Sequence, residues 1–460
     1  MSSRYLNSSD MMKTKIIATY GPGIDNDKTL TRLIKGVDIF RLNLSHGSQE
    51  QWHSYIERIR DVSEKAHEEV AILADLPGPK IRIGKLEGEI EVKPGETLSF
   101  AYGGRGGSIP LEYDLYPELK VGAHVSLGDG YMRLVVTGLR KGNIYCKALN
   151  AGIIKSRKGV NVSGGLVGVE PPTEEDIKLI SFARKEGFDF VAASFVRHSK
   201  NIERIRGLLG GEGIVAKIER KIAVDNIRSI AEASDAIMVA RGDLAFDIAV
   251  EKVPIAQRKI IRAAREAGKP VIVATQMLAS MTENPMPTRA EVNDIANAVF
   301  EGADCLMLSE ETAVGKYPQG CVSVMRRTAE QAESNFTASG EGRGIKSIEE
   351  GIAFAASSLS QNYMTECIFA PTQTGYTPAR LAALRPKARV IALSGRPEVR
   401  RRMCMYYGIE SHAIGKYSSV DRMLELVEGI AKDMGVRRYL VISGSPNVKG
   451  STDTLKYIGH

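Results

Sequence analysis

Between positions 14 and 311 one pattern recurs eight times: a short apolar run, a polar or charged residue at its carboxyl end, then a segment of helical length. Apolar runs of this length read as buried strands, and apolar residues three and four apart read as helices. The runs are TKIIATY (14–20), DIFRLNLS (38–45), EVAILADL (69–76), FDFVAASF (188–195), 214–218, 236–240, PVIVATQ (270–276) and CLMLSEE (305–311). Helices are predicted around 29–34, over 50–66, and over 173–185 with Thr173 as N-cap. Two more are predicted along the Ile222, Asp225, Ile227 and Ile230 spacing and over 252–267, where Gly268 is the stop signal. A last one carries Val322, Met325, Ala329 and Ala332 on one face. Alternation of this kind over roughly 230 residues predicts an α/β chain closed into a (β/α)8 TIM barrel.

The rhythm breaks once. From Pro79 to Pro171 short alternating stretches, VSLGDGYMRLVV and IYCKAL among them, are punctuated by Gly and Pro, which predicts an all-β insert with a flexible GGRGG tip at 103–107. From about Ala338 a separate module begins, with a helix over 345–361 and strands at CIFAPT, RVIALS, ESHAIG and YLVISG. These form an open α/β sheet of roughly 120 residues, within the size of one domain. The expected boundaries are thus 1–78 with 172–337 for the barrel, 79–171 for the insert and 338–460 for the last domain.

Composition narrows the class without choosing it. The 460 residues carry a net charge of +7, but the basic residues are scattered, so the excess favours small anionic substrates over nucleic acid. There is no run of 18 apolar residues, and the N-terminal MSSRYLNSSDMMK lacks the apolar core of a signal peptide, so no membrane partner is expected. Five cysteines, odd in number, far apart and without a CxxC pair, point to free thiols in a reducing cytoplasm and against a sulfur-based metal site.

In such barrels the carboxyl ends of the strands carry the chemistry. Here those ends hold Thr19, Arg41 with Asn43, Asp75, Ser194, Lys217 with Glu219, Asp243, Thr275 and Ser309. Lys217 and Glu219 are two apart, so in a strand their side chains leave the same face. With Asp243 from the neighbouring strand end they make two carboxylates beside a lysine. That set suits magnesium, which takes one or two protein carboxylates and leaves other positions to water and phosphate. The competing reading is a simple Lys217–Glu219 ion pair in the barrel rim.

The strand ends also spell longer phrases. TKIIATYGP, FRLNLSHG, VAKIE, IMVARGDL, KPVIVATQML and LMLSEETAVGKYP resemble, in that order, the signatures of the pyruvate kinase family, from Thr14 to nearly the end of the chain. The resemblance implies transfer of a phosphoryl group from phosphoenolpyruvate to ADP, giving ATP and pyruvate, usually by a homotetramer. It implies that Glu219 and Asp243 hold Mg2+ (or Mn2+), and that Lys217 and Arg41 face the phosphoryl group. Ala240, Arg241, Gly242 and Asp243 would grip the substrate carboxylate. Pro22, Asn43, His46, Arg82 and Lys158 would meet the nucleotide. Thr275 would take part in protonating the enolate, with Ser309 and Glu311 completing the proton path. The insert becomes a small β-barrel lid that excludes water when it closes.

Two departures from the family pattern stand out. The third strand runs ADLPGPKIR, matching at Asp75, Gly78, Pro79 and Arg82 but with Leu76, Pro77 and Lys80 where the family commonly has Thr, Lys and Glu. The family's potassium ion sits among the equivalents of Asn43, Ser45 and Asp75, so the Lys80 ammonium is expected to replace it and K+ not to be required. Glu310 stands where glycine is usual, without an explanation from the sequence. In the last domain, TQTGYTPARLAALRP (372–386) and GSPNVKGSTDTLKY (444–457) resemble the loops that hold a phosphorylated effector. The expected contacts are Thr372, Thr374, Gly375, Thr377, Lys449, Gly450, Ser451 and Thr452, and the alternative is ordinary helix capping by Thr377. Two other functions compete with the kinase. A magnesium-dependent lyase or aldolase would form pyruvate enolate on the same barrel without ADP. A non-catalytic metabolite sensor would use only the last domain.

Overall fold

The computed structural model describes residues 12–79, 81–128, 132–162, 170–335, 345, 347–363, 365–444 and 452–459. Lys80 and the Lys449, Gly450 and Ser451 stretch lie outside the described residues.

The eight expected strands close into one parallel barrel, each beside its sequence neighbours and the eighth returning to the first. They are Lys15–Thr19, Ile39–Asn43, Ala71–Asp75, Phe190–Ala193, Gly213–Ile218, Ala236–Ala240, Val271–Ala274 and Cys305–Leu308. Nearly every residue in them is buried, because one face fills the barrel and the other meets the helices. Ile17, Leu73, Val215, Met238 and Met307 pack inside, each such side chain contributing about 1.5–3 kcal/mol on leaving water. The helices start and stop where sequence chemistry directs. Thr173 caps Glu174–Glu186 through a capping box with Asp176, and Gly268 ends Val253–Ala267 in the left-handed conformation at φ 73°.

The helix expected along 222–230 is two short ones, Lys221–Asp225 and Ile227–Ala233. Asn226 breaks it, its side-chain amide donating to the Arg197 carbonyl at 3.0 Å, and Ile222 is left on the surface.

The insert holds a seven-stranded sheet that nearly closes on itself, an isolated bridge from Ile83 to Leu111 joining its two edges, and a separate antiparallel pair, Ile90–Val92 with Gly152–Ile154. It has its own apolar core, including Phe100, Leu134 and Ile144. The last domain is a five-stranded sheet in the order Ile409–His412, Arg389–Leu393, Cys367–Pro371, Arg438–Ser443, Thr454–Gly459. The fifth strand, antiparallel to its neighbour, replaces the end of the loop expected over 444–457. It is an edge strand without a buried face, so its sequence carries no apolar alternation.

Candidate active site

The polar strand ends meet in one connected network at the barrel mouth. Thr19 Oγ1 donates to the Leu308 carbonyl at 2.8 Å and accepts from Arg41 Nη1 at 2.9 Å. Arg41 Nε donates to Asp75 Oδ2 at 2.6 Å. The other Asp75 oxygen receives Lys217 Nζ at 3.0 Å, and Lys217 also donates to Ser194 Oγ at 2.7 Å. Ser194 in turn donates to the Leu76 carbonyl at 2.7 Å. Six strand ends are tied together in this way, and the two cations are held nearly out of water.

Burial alone would raise the Asp75 carboxyl, but the Lys217 ammonium and the Arg41 guanidinium hold it below the usual carboxylate range. Burial would lower Lys217, and Asp75 and Glu219 outweigh it, so the ammonium is held above its ordinary value. Lys217 and Asp75 therefore stay ionised across the physiological range. Buried ion pairs of this kind are weak sources of stability.

Glu219 is fully buried just past the end of the fifth strand. Its Oε2 accepts from the Phe195 amide at 2.6 Å. Its Oε1 lies 3.0 Å from Lys217 Nζ but in a geometry that makes no hydrogen bond, leaving a buried oxygen without a hydrogen-bond partner. Burial and the neighbouring Asp243 raise this carboxyl against the opposing pull of Lys217. A buried carboxylate with an unspent oxygen and a second carboxylate nearby is a donor set that fits a divalent ion completed by substrate and water. Among the described residues no group of three or more His, Cys, Asp and Glu is arranged to hold a metal.

Ala240 ends the sixth strand, and Arg241, Gly242 and Asp243 form the first turn of the helix Arg241–Asp247. The Arg241 side chain turns away to brace the rim, reaching Asp294 at 2.7 Å and the Thr275 carbonyl at 2.6 Å. The Gly242 amide donates to Thr275 Oγ1 at 2.9 Å. Phe195, Thr275 and Gln276 sit at φ 56°, 70° and 56°, a conformation non-glycine residues adopt at a cost of order 1–3 kcal/mol each. All three follow strand ends at the mouth, where strain of this kind is characteristic of working sites. The Glu311 carboxylate accepts from the backbone amides of Ser309 at 2.6 Å and Leu278 at 3.1 Å, joining the loops after the seventh and eighth strands. Glu310 is exposed in the first turn of the same short helix, a favourable place for an acid.

Residues expected at the nucleotide lie farther out. Pro22 and His46 are exposed at the rim, and Asn43 Oδ1 accepts from the Ser45 amide at 3.2 Å. Arg82 and Lys158, distant in sequence, come together because Arg82 pairs with Gly159 across adjacent lid strands. In the last domain Thr372 Oγ1 accepts from the Gly375 amide at 2.9 Å, and the buried Thr377 and Thr452 hydroxyls share a hydrogen bond of 2.7 Å. Thr374 is exposed at the loop tip. Ser194, Phe195 and Arg220 join the site without having been assigned roles from sequence. Ser194 gave a signal as a polar strand end, and Arg220 gave one by following Glu219 directly.

Barrel, lid and the buried charge network at the mouth together define a lidded (β/α)8-barrel enzyme. Comparison with known proteins gives the family. The model for the pyruvate kinase barrel domain matches residues 11–322, and that for the pyruvate kinase alpha/beta domain matches 350–458. A pyruvate kinase of Clostridium perfringens is 36% identical over 97% of this chain and 99% of its own length. Those of Bacillus licheniformis and Geobacillus stearothermophilus are 37% and 38% identical, over 97% and 96% of this chain and 80% of their own lengths. The chain belongs to the pyruvate kinase family of phosphotransferases.

Proposed function

We propose that the protein transfers the phosphoryl group of phosphoenolpyruvate to ADP, giving pyruvate and ATP. The observation that carries this reading is Lys217, held ionised among Asp75, Ser194 and Glu219 at the barrel mouth. Such chemistry asks for positioning and charge stabilisation more than for covalent work. Lys217 and Arg41 neutralise the phosphoryl group in transfer, and Lys217 also faces the enolate left behind. Amides of the Arg241–Asp243 turn bind the substrate carboxylate. Thr275, whose oxygen already accepts from Gly242, keeps its hydroxyl hydrogen for the proton relay to the enolate carbon, and Glu311 fixes the position of Ser309 beside it. Glu219 and Asp243 would hold Mg2+ or Mn2+, which when bound would supply concentrated positive charge beside the substrate. Arg82 and Lys158 bring the lid's charge to the nucleotide.

The reaction proceeds without potassium. Supporting this are the lysine at position 80 and the engagement of both Asp75 oxygens by Arg41 and Lys217. A phosphorylated metabolite binds the loop around Thr372, Thr374, Gly375 and Thr377 together with Thr452 and the neighbouring Lys449, Gly450 and Ser451. The Thr377–Thr452 contact, which joins the two loops, supports it. Self-association, expected as a homotetramer, is supported by Val250, Ile255, Met286 and Phe300, large apolar residues exposed on or next to barrel helices. A cytoplasmic setting is supported by five buried free thiols, and among the described residues no helix is long and apolar enough to cross a membrane.

One assay tests the core of the reading: pyruvate formation with and without ADP, in potassium-free buffer, for the wild type, Lys217→Met and Lys80→Glu. Pyruvate should require ADP, Lys217→Met should lose on the order of 10²–10³-fold in turnover, and Lys80→Glu should acquire a potassium requirement. Pyruvate formed equally well without ADP would favour a lyase.

A further inference from the structure

The lid meets the barrel through charges that neither the network at the mouth nor the expected nucleotide contacts employ. Arg220, immediately after Glu219, donates from Nη1 to the carbonyl of Val162 at 3.3 Å. Val162 is the last residue of the lid strand Gly159–Val162. The same nitrogen lies 3.6 Å from Asp247 Oδ1, both side chains being nearly buried. Asp247 Oδ2 accepts from the Lys221 amide at 2.6 Å, and Asp247 ends the helix that Asp243 helps to begin. The guanidinium also stands 5.0 Å over the ring of Phe195, the residue whose amide holds Glu219. Arg220 thus touches the lid, the backbone support of one carboxylate and the helix bearing the other.

A second arginine repeats the complementarity. Arg197 is within electrostatic reach of Glu118 and Glu170 on the lid side and of Arg220 and Asp247 on the barrel side. Glu118 is itself fixed by a 2.7 Å hydrogen bond from Tyr113. Two arginines within electrostatic reach of each other repel, so acids from both bodies are needed to offset that repulsion. The helix Arg241–Asp247 packs directly against the strand Gly159–Val162, so displacement of the lid is felt where Asp243 is rooted.

We infer that Arg220 is a positioning residue that latches the lid to the barrel and, through Phe195 and Asp247, couples lid docking to the placement of Glu219 and Asp243. Groups that orient metal ligands without touching the metal typically affect metal affinity by 10–100-fold. A guanidinium is suited to this position because its planar fork serves a carbonyl, a carboxylate and an aromatic face at once. The inference rests on the proposed assignment of Glu219 and Asp243 to a divalent ion.

The test compares wild type, Arg220→Gln, Arg220→Lys and Glu219→Gln in two measurements. The first is Mn2+ binding to the protein alone, read by electron paramagnetic resonance. The second is hydrogen exchange along Gly159–Val162 in metal-free protein. Arg220→Gln should bind Mn2+ on the order of tenfold more weakly and exchange faster along that strand. Arg220→Lys, which keeps the charge opposite Asp247 but not the fork, should fall between, and it stands in for Arg220→Gln should the latter not fold. Faster exchange with Mn2+ binding unchanged would overturn the coupling, and unchanged exchange would overturn the latch. Undiminished Mn2+ binding in Glu219→Gln would instead show the metal assignment to be wrong, and the exchange measurement, which needs no metal, keeps the two failures apart.

Discussion

Asp75 and Glu219 have the same chemistry and opposite surroundings. Both are buried, yet two cations face Asp75 and hold it ionised, whereas Glu219 shares Lys217 with it and faces Asp243. The difference is one of counter-charge: Asp75 fixes the lysine, and Glu219 keeps a buried oxygen that no hydrogen bond uses. Glu410 shows the same physics used for stability alone. It accepts both arms of Arg389, at 2.9 and 2.8 Å, on adjacent strands of the last domain. Burial would raise its carboxyl, but His412 and Arg389 hold it at about 2, against 4.5 for an ordinary glutamate. Because the folded value is depressed, this stability is complete above pH 4.5 and is lost as pH falls from there through about 2. The shift corresponds to on the order of 3 kcal/mol. Glu410→Gln should therefore lower the denaturant midpoint at pH 7 and flatten its decline between pH 5 and pH 2. A decline as steep as in wild type would show that other groups dominate acid unfolding.

At the scale of elements, the lid is joined to the barrel by two chain crossings, and one carboxylate holds both. Asp176 Oδ1 accepts from the Gly78 amide at 3.0 Å on the way in, and Oδ2 accepts from the Thr173 amide at 2.9 Å on the way out. Asp176→Asn turns one acceptor into a donor facing an N–H group. The cost should be about 1–3 kcal/mol, together with faster exchange of the Gly78 and Thr173 amides. Protection unchanged at both amides would remove Asp176 as the pivot. Half of this feature was legible: Thr173 before a helix announces a cap. The bond to Gly78 was not, since no local pattern relates residues that far apart. The same division runs through the fold. Strands of the barrel are buried on both faces and end in polar or charged residues, so eight apolar runs sufficed to place them. The edge strand Thr454–Gly459 buries neither face, and Asn226 breaks a helix through a contact to Arg197 in another loop, so neither left a periodic trace. At the site, Lys217, Glu219, Asp243 and Thr275 were legible as polar residues at or just past strand ends. The role of Asp75 as the joint counter-ion of Arg41 and Lys217 needed three strands brought together.

For the whole molecule, the floor of the barrel is closed by the last domain and not by the barrel alone. Cys404 and Met405 belong to the same apolar cluster as the barrel's interior residues, and Met405 is fully buried with its carbonyl 3.3 Å from Cys305 Sγ. Polar contacts ring this plug. Arg385 donates to the Gly302 carbonyl at 2.6 Å and to Asp304 at 3.1 Å, Lys15 donates to the Ile409 carbonyl at 2.9 Å, and Arg401 donates to Asp189 at 2.8 Å. Nothing in MCMYYG announces a plug, because its partners are spread over strands that begin at Ile17 and end as near as Cys305 and Met307. Its effect is to make two domains with separate sheets depend on one shared core. Met405→Ala removes the side chain at its centre and should cost about 2–5 kcal/mol. The loss should fall on the contact between domains, so that one cooperative calorimetric transition separates into two, the last domain melting first. A single transition at the wild-type temperature would mean that the polar ring alone holds the domains together.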